Sequence, residues 1–247
     1  VARDTGDYLV TLLPIGNYVV RIELQGFSIQ ESKVAVRSGE QIRVDGRLRV
    51  GAVTETVSVT AEAPLLQTES ATLSTLVTES EVQDLPVNNR NFVSLIRGVP
   101  GANAGAPNAL GSGTRPDDRR PTSSVSINAA GDNRNNMLID GMDNNERAIG
   151  TIVVRPSIDA IAEVRVQTSN YPAEVGRTAG GVVNILTKAG TNTLHGTVYG
   201  FWRDDQFDSR DYFATVDPLL KQKQFGGSIG GPLVRDRTFY FGDYEGF

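Results

Sequence analysis

The 247-residue chain contains no cysteine, one histidine, one tryptophan and two methionines. Without cysteine there is no disulfide framework and no thiolate site for zinc. With a single histidine, any metal centre would have to be built almost entirely from oxygen ligands. No window holds the roughly 18–20 uninterrupted apolar residues that a spanning helix needs, and Val1–Val20 lacks the basic, apolar, small-residue order of a signal peptide. Helical membrane insertion is thereby excluded. The 24 basic and 29 acidic residues are interspersed and sum to −5, so there is no basic footprint for a nucleic-acid backbone. No nucleic-acid partner, no cofactor and no resident metal are expected. The lack of cysteine fits many compartments and fixes none.

Glycine (26 residues) and proline (11 residues) are plentiful and unevenly placed. In the first fifty residues they separate short period-2 segments, Asn17–Leu24, Ser32–Arg37 and Gln41–Val50, which together predict a small antiparallel β unit. Within the first of these, Tyr18, Val20, Ile22 and Leu24 share one face while Val19, Arg21 and Glu23 share the other, as a half-buried strand requires. So small a unit buries little apolar surface, and its first strands are expected upstream of Val1. Val53–Ala61 alternates and is β-prone, and Glu62–Thr75 is polar and reads as a connector. Thr78 and Glu81 have capping-box spacing, predicting a short helix over Glu79–Asp84 stopped by Pro86. Asn91–Arg97 predicts a second, ended by Gly98. From Val99 to Ser124 prolines and glycines sit among small and charged residues, and a mobile loop is expected.

Further on, Ser124–Asn128, Met137–Asp140, Glu163–Thr168 and Gly181–Thr187 have strand character, and Ser157–Ala162 predicts a short helix behind Pro156, giving a small α+β domain. After Gly190 the texture changes. Leu194–Arg203, Gln224–Gly231 and Thr238–Glu245 alternate, carry many of the aromatics, and match the nine to eleven residues of a tilted membrane β-strand.

Several motifs carry a chemical reading beside a plainer one. Gly226-Gly227-Ser228-Ile229-Gly230 has the G-x-S-x-G pattern of an esterase nucleophile elbow. No histidine follows Ser228, so a glycine-rich strand is the better account, and no catalytic residue is expected. His195 has no second imidazole nearby and reads as a strand-face residue. Asp132, Asp140, Asp143 and Glu146, among several asparagines, offer hard oxygen ligands to calcium, but the EF-hand spacing is absent and the same residues make tight turns. Gly176, Gly180 and Gly181 do not match a dinucleotide fingerprint and precede a β-prone run where a phosphate-binding helix should begin. Glu55-Thr56-Val57-Ser58-Val59-Thr60-Ala61 is the most informative stretch. It is either a tethered strand that adds to another protein's sheet edge or the last strand of the N-terminal sandwich, and the residues alone favour neither.

In order along the chain, these segments resemble TonB-dependent outer-membrane receptors. Glu55–Ala61 is similar to their TonB box. Leu85-Pro86, Asn89-Arg90-Asn91-Phe92, Pro100-Gly101 and Leu138-Ile139-Asp140-Gly141-Met142-Asp143-Asn144-Asn145 are similar to their plug domain, as are Ile161–Val166, Glu174–Arg177, Gly180–Asn184 and Thr187-Lys188. Gly190-Thr191-Asn192 with His195-Gly196 resembles the start of the barrel. Phe225–Pro232 and Arg237–Phe241 resemble first barrel strands of an Oar-like branch. Residues 1–50, with Leu13–Tyr18 and Gln25-Gly26-Phe27, resemble a carboxypeptidase-regulatory-like β-sandwich.

The resemblance implies a β-rich multi-domain chain in four parts. They are a truncated β-sandwich over 1–50, a TonB-box segment over 51–62, an α+β plug over 63–190, and the start of a transmembrane β-barrel over 191–247. It also implies a place in the bacterial outer membrane among its lipids, an inner-membrane TonB partner that pairs with the box, and energised uptake of a solute that the residues do not identify. Asp140, Asp143, Asn144 and Asn145 are expected on plug loops that touch this solute. A 22-stranded barrel needs several hundred residues, so the chain is expected to be the N-terminal portion of a longer protein. The alternative from another class is a secreted or surface β-rich adhesion or ligand-binding module in which Glu55–Ala61 is merely structural.

Overall fold

A computed structural model of the chain describes residues 5–11, 13, 15–38, 40–50, 56–59, 71–85, 90–105, 124–146, 152–172, 175–176, 178–204 and 221–246. The chain divides into two compact units, Val1–Ala71 and Thr72–Phe247.

The first unit is built on a three-stranded sheet. β1 (Gly16–Ile22) pairs antiparallel with β2 (Ile29–Val36), and β3 (Thr56–Val59) adds parallel to the other side of β2. Along β1, half-buried Tyr18, Val20 and Ile22 alternate with exposed Val19 and Arg21, as the period-2 pattern requires. The third expected segment, Gln41–Val50, is not a strand. Its backbone is held piecemeal: Val50 makes an isolated bridge to Phe27, the Arg49 carbonyl accepts from Ser28 N–H at 2.9 Å, and Arg47 N–H donates to Gln30 Oε1 at 2.8 Å. A glutamine side chain has replaced a ladder bond, so alternation alone did not make a strand here.

The second unit contains a five-stranded mixed sheet, ordered β4 (Leu73–Val77), β9 (Ile161–Ser169), β10 (Val182–Thr187), β7 (Asn136–Ile139), β8 (Met142–Asp143). β10 runs antiparallel to β9 and parallel to β7. Between these elements lie α1 (Glu79–Asp84), α2 (Val93–Ile96) and a small antiparallel pair of β5 (Ala102–Ala104) with β6 (Val125–Ile127). Val82, Ile96, Ile127, Ile161, Val164, Val166, Val183 and Ile185 form the dry centre. β9 is buried on both faces, which is why Arg165 and Glu163 are buried with it; Arg165 Nη2 donates to Ser74 Oγ at 3.1 Å.

Two expectations change. The polar connector does not reach Thr75, because Leu73–Val77 satisfies the open edge of β9 as β4, while residues 62–70 lie outside the described residues. The loop expected from Val99 to Ser124 contains β5, which pairs with β6, and 106–123 lie outside the described residues. In both places the partner edge overrides a poor local propensity. The expected helix at Ser157–Ala162 is one 3-10 turn, Ile158–Ala160, capped by Ser157 Oγ accepting from Ala160 N–H at 3.2 Å.

The remaining strands form an antiparallel meander, β11 (His195–Asp204), β12 (Lys221–Val234) and β13 (Thr238–Gly246). Its two faces differ in chemistry. One carries Val198, Trp202, Phe225, Ile229 and Tyr244, all exposed; Val198 is 93 % accessible and Trp202 74 %. The other carries Thr197, Tyr199, Gln224, Ser228, Asp243 and Glu245. Apolar outside and polar inside, on strands of 10, 14 and 9 residues, is the pattern of a membrane barrel wall.

The start of α1 is as the capping-box spacing predicts: Thr78 N–H and Oγ1 donate to Glu81 Oε2 at 2.8 and 2.9 Å. The backbone bond first, then the hydroxyl, hold the Glu81 carboxyl below the usual carboxylate range. Its contribution is therefore complete above the pKa of the unfolded chain and is lost as the pH falls through the lowered folded value. Thr78→Ala is expected to raise the hydrogen-exchange rate of the Val82 amide five- to tenfold at neutral pH, for about 1 kcal/mol of lost capping. The difference from wild type should shrink in acid, and a pH-independent difference would exclude the box as its source.

Candidate functional site

Two features gather polar chemistry: the seam where the mixed sheet meets the strand meander, and the β7–β8 hairpin.

At the seam, Asp159 is 6 % exposed on the 3-10 turn that leads into β9. One carboxylate oxygen accepts from the Arg90 guanidinium, and the other accepts from Thr197 Oγ1 on β11 at 3.1 Å. Thr197 Oγ1 lies 2.9 Å from Ser228 Oγ on β12. Two residues earlier, Ser157 Oγ donates to Asp243 Oδ2 on β13 at 2.8 Å, so this one short turn bonds directly to β11 and β13 and reaches β12 through Thr197. The Arg90 guanidinium lies 4.2 Å from the Tyr199 ring centroid and 5.1 Å from that of Phe201. A cation that pairs with a buried carboxylate and covers aromatic faces is held from two directions. Tyr199 OH and Gln224 Nε2 both donate to Glu245 Oε2 at 3.0 Å, completing the inner-face network. The backbone also closes here. Lys188 N–H donates to the Ala160 carbonyl at 2.8 Å, and a Cβ at Gly190 would run into the backbone of Tyr240 and Gly231.

The hairpin is a two-residue turn, with Asp140 at φ 50° and Gly141 at φ 79°, the positive pair that a type I′ turn needs. Asp140 Oδ1 and Oδ2 accept from Thr187 N–H and Oγ1 at 2.9 and 2.8 Å, tying the turn to the end of β10. Asn144 is 2 % exposed and its side-chain amide is spent on the backbone of Val154, donating at 2.9 Å and accepting at 2.8 Å. Asn145 accepts from Met137 N–H at 2.9 Å and donates to Asp143 Oδ1. Among these four residues, Asp140 and Asp143 are exposed, whereas Asn144 and Asn145 brace the hairpin.

Of Glu55–Ala61, Thr56–Val59 is the outer strand β3, and Glu55, Thr60 and Ala61 lie outside the described residues. Ser228 sits within β12 and not on a strand-to-helix elbow. His195 lies on β11 with its ring 6.5 Å from that of Phe241. Sequence reasoning missed Arg90, Asp159, Tyr199 and Glu245 as a group. Their separation in the chain, with Arg90 and Asp159 69 positions apart, leaves no local signature.

Comparison with known proteins agrees with this geometry. Residues 186–247 match the family model for an outer membrane beta barrel domain. The TonB-dependent transporter Oar of Myxococcus xanthus is 27 % identical over 99 % of this chain and 23 % of its own length. The probable TonB-dependent siderophore receptor PirA of Acinetobacter baumannii is 29 % identical over 77 % of this chain and 25 % of its own. The crystal structure of the siderophore receptor PirA from Acinetobacter baumannii superposes with a TM-score of 0.50 at 27 % identity, covering 70 % of this chain and 24 % of that one. The chain thus spans about a quarter of the length of the relatives it matches. A relative matched along nearly the whole chain, a barrel model over the last strands and a meander with one apolar and one polar face converge on the TonB-dependent outer-membrane receptors, to which the chain is similar in sequence and fold.

Proposed function

We propose that this chain supplies the gate and the first wall strands of a receptor for energised uptake of a large or scarce solute, and that it has no enzymatic role. In this reading Thr72–Ala189 is the plug, His195–Gly246 is wall, and Glu55–Ala61 is the segment that pairs with TonB. The observation that carries it is the seam, where a buried ion pair and shared hydroxyls fasten an α+β sheet to the polar face of strands whose other face is apolar. A secreted adhesion module would have no use for an outer face bearing Val198, Trp202, Phe225, Ile229 and Tyr244.

Connection lengths orient the gate. Outer-membrane barrels have short periplasmic turns and longer external loops. The β12–β13 turn, centred on Asp236, then faces the periplasm, and the opposite ends of β12 and β13 face outward. Asn192, whose side chain bonds Asp236 at both its amide atoms, lies at the periplasmic end, and Gly190 beside Tyr240 and Gly231 lies close to it. β10 runs toward that end, and β7, parallel to it, delivers the Asp140-Gly141 turn there as well. The solute-facing end is therefore the opposite one, where Asn133, Arg134, Thr178 and Ala179 line an open polar recess of about 510 Å³. In this reading the recess takes the solute-contacting role expected of Asp140, Asp143, Asn144 and Asn145, whose hairpin lies at the periplasmic end.

Three outcomes test the reading in the full receptor. Val57→Pro removes one backbone donor from the proposed pairing strand and should abolish energised uptake while leaving solute binding at the wild-type level. Normal uptake would refute the box assignment. Asp159→Ala should leave Arg90 unpaired, cost about 3 kcal/mol of stability at the seam and make outer membranes leaky to bulky antibiotics. An intact permeability barrier would deny the seam its gating role. Arg134→Ala should weaken solute binding about tenfold, the loss of one charge-assisted contact, whereas Asp140→Asn should not. The reverse result would invert the proposed orientation.

A further inference from the structure

The apolar face of the meander is not uniform along its height. The period that puts Val198, Trp202, Phe225 and Ile229 on it also puts Lys223 there, opposite Trp202, and Lys221 one step farther along β12, both exposed. Among the described positions of this face no other side chain is basic; Arg235 and Arg237 belong to the turn at the far end of β12. The one carboxylate of this face among the described residues is Asp204, which stands opposite Lys221 and not Lys223, so the rim is net positive. Strand rise and tilt set the depth. From Lys221 to Gly231, near the Asp236 turn, ten steps of about 3.4 Å tilted by roughly 40° cover about 26 Å of height, close to that of the apolar band of an outer-membrane barrel. Lys221 thus lies at the outward boundary of the band, and Lys223 lies just inside it, where the lysine stem reaches the boundary. Trp202 marks the same level, the level at which indole rings gather. A Cβ at Gly200 would meet the Trp202 ring, so the ring lies back over Gly200, on the membrane side of Lys223.

We infer that Lys221 and Lys223, with Trp202 beneath them, dock a phosphate-bearing lipid headgroup of the outer leaflet on the outside of the wall. The inference rests on the reading of His195–Gly246 as wall and on its orientation, and it adds a partner distinct from the transported solute. A lysine on a lipid-facing strand is tolerated near the membrane boundary and costs more with depth, so Lys223 gains most from an anion brought to it. Two lysines two positions apart on one strand face have Cα atoms about 7 Å apart, and both ammonium groups reach one phosphate as charge-assisted donors. A zwitterionic headgroup brings its own cation to the same place and is the poorer fit. The apolar ring of Trp202 then meets the part of the lipid just below the phosphate, where headgroup gives way to chain.

The test titrates the full receptor in detergent with lipid A, phosphorylated and dephosphorylated, and counts bound lipid by native mass spectrometry. Wild type is expected to bind the phosphorylated form about tenfold or more tightly than Lys221→Ala with Lys223→Ala, and Lys221→Arg with Lys223→Arg should restore binding because the charge returns. Equal binding by wild type and the alanine pair, or equal binding of the two lipids by wild type, would overturn the inference. Release of the bound lipid by an excess of inorganic phosphate would also overturn it, as the mark of a site for a free anion. Orientation is read separately. This chain has no native cysteine, and Asp236→Cys, set beside the unsubstituted receptor, should escape a membrane-impermeant thiol reagent on intact cells and react once the outer membrane is opened. Labelling on intact cells would invert the wall and take the inference with it. Protection of Asp236→Cys without any preference for the phosphorylated lipid would leave the orientation standing and strike the lipid site alone.

Discussion

A carboxylate out of reach of water has to be answered by its neighbours, and the arrangement of the second unit follows from how Asp159 is answered. Its partners come from two places: Arg90 from the stretch between the two short helices, and, on the other oxygen, Thr197 from β11, itself beside Ser228 of β12. None of these segments is near the others in sequence. Removing the pair's geometry would strand a charge in a site that is 6 % exposed, a cost of several kcal/mol that no single apolar contact nearby offsets. The seam is therefore specified by charge complementarity, while the hydrophobic centre built on Val164, Val166, Val183 and Ile185 supplies cohesion without direction.

The strand meander needs that answer for its own reason. Alternation places Trp202, Phe225, Ile229 and Tyr244 on one side and, by the same period, Thr197, Tyr199, Gln224, Ser228 and Glu245 on the other. A face that meets lipid gains from apolar side chains, but the inner face then carries hydroxyls, amides and carboxylates that want partners. Some are met within the wall, as with Gln224 and Tyr199 on Glu245. Others are met by the turn at Ser157–Asp159. The wall and the mixed sheet thus complete each other's hydrogen bonding.

What the sequence made legible was local. The capping box at Thr78 and Glu81 put α1 at its observed bounds, because both partners lie within one helical turn. The carboxylates of Asp132, Asp140, Asp143 and Glu146 read more plainly as turn formers than as metal ligands, and Asp140-Gly141 is such a turn, since few residue pairs accept two positive φ angles. Alternation with aromatics located β11, β12 and β13 to within a few residues. What escaped was set by partners. Gln41–Val50 alternates as well as β1 does, yet its donors went to Gln30 and its bridge to Phe27, and no strand formed. Leu73–Val77 and Ala102–Ala104 look like connection and loop, yet each met an open edge and became a strand. The seam escaped entirely, because Arg90 in a polar turn and Asp159 behind a serine are ordinary residues until the fold brings them together.

The same geometry ranks which parts of the mixed sheet yield first. β4 lies at the edge, is five residues long, has an exposed end at Leu73 and, among the described residues, pairs with no strand but β9. β9 and β10 are central, and their Val164, Val166, Val183 and Ile185 have no solvent exposure. Local opening begins where few buried contacts are lost, so β4 separates at lower free energy than any central strand. Beyond β4 the chain passes through α1, whose Val82 is fully buried, and reaches Arg90 at the seam. Tension entering from the side of Thr72 therefore meets a weak element first and a strong one next. The fold thus grades from an edge that opens readily to a centre that does not, and the boundary between them falls at the buried α1 and the Arg90–Asp159 pair.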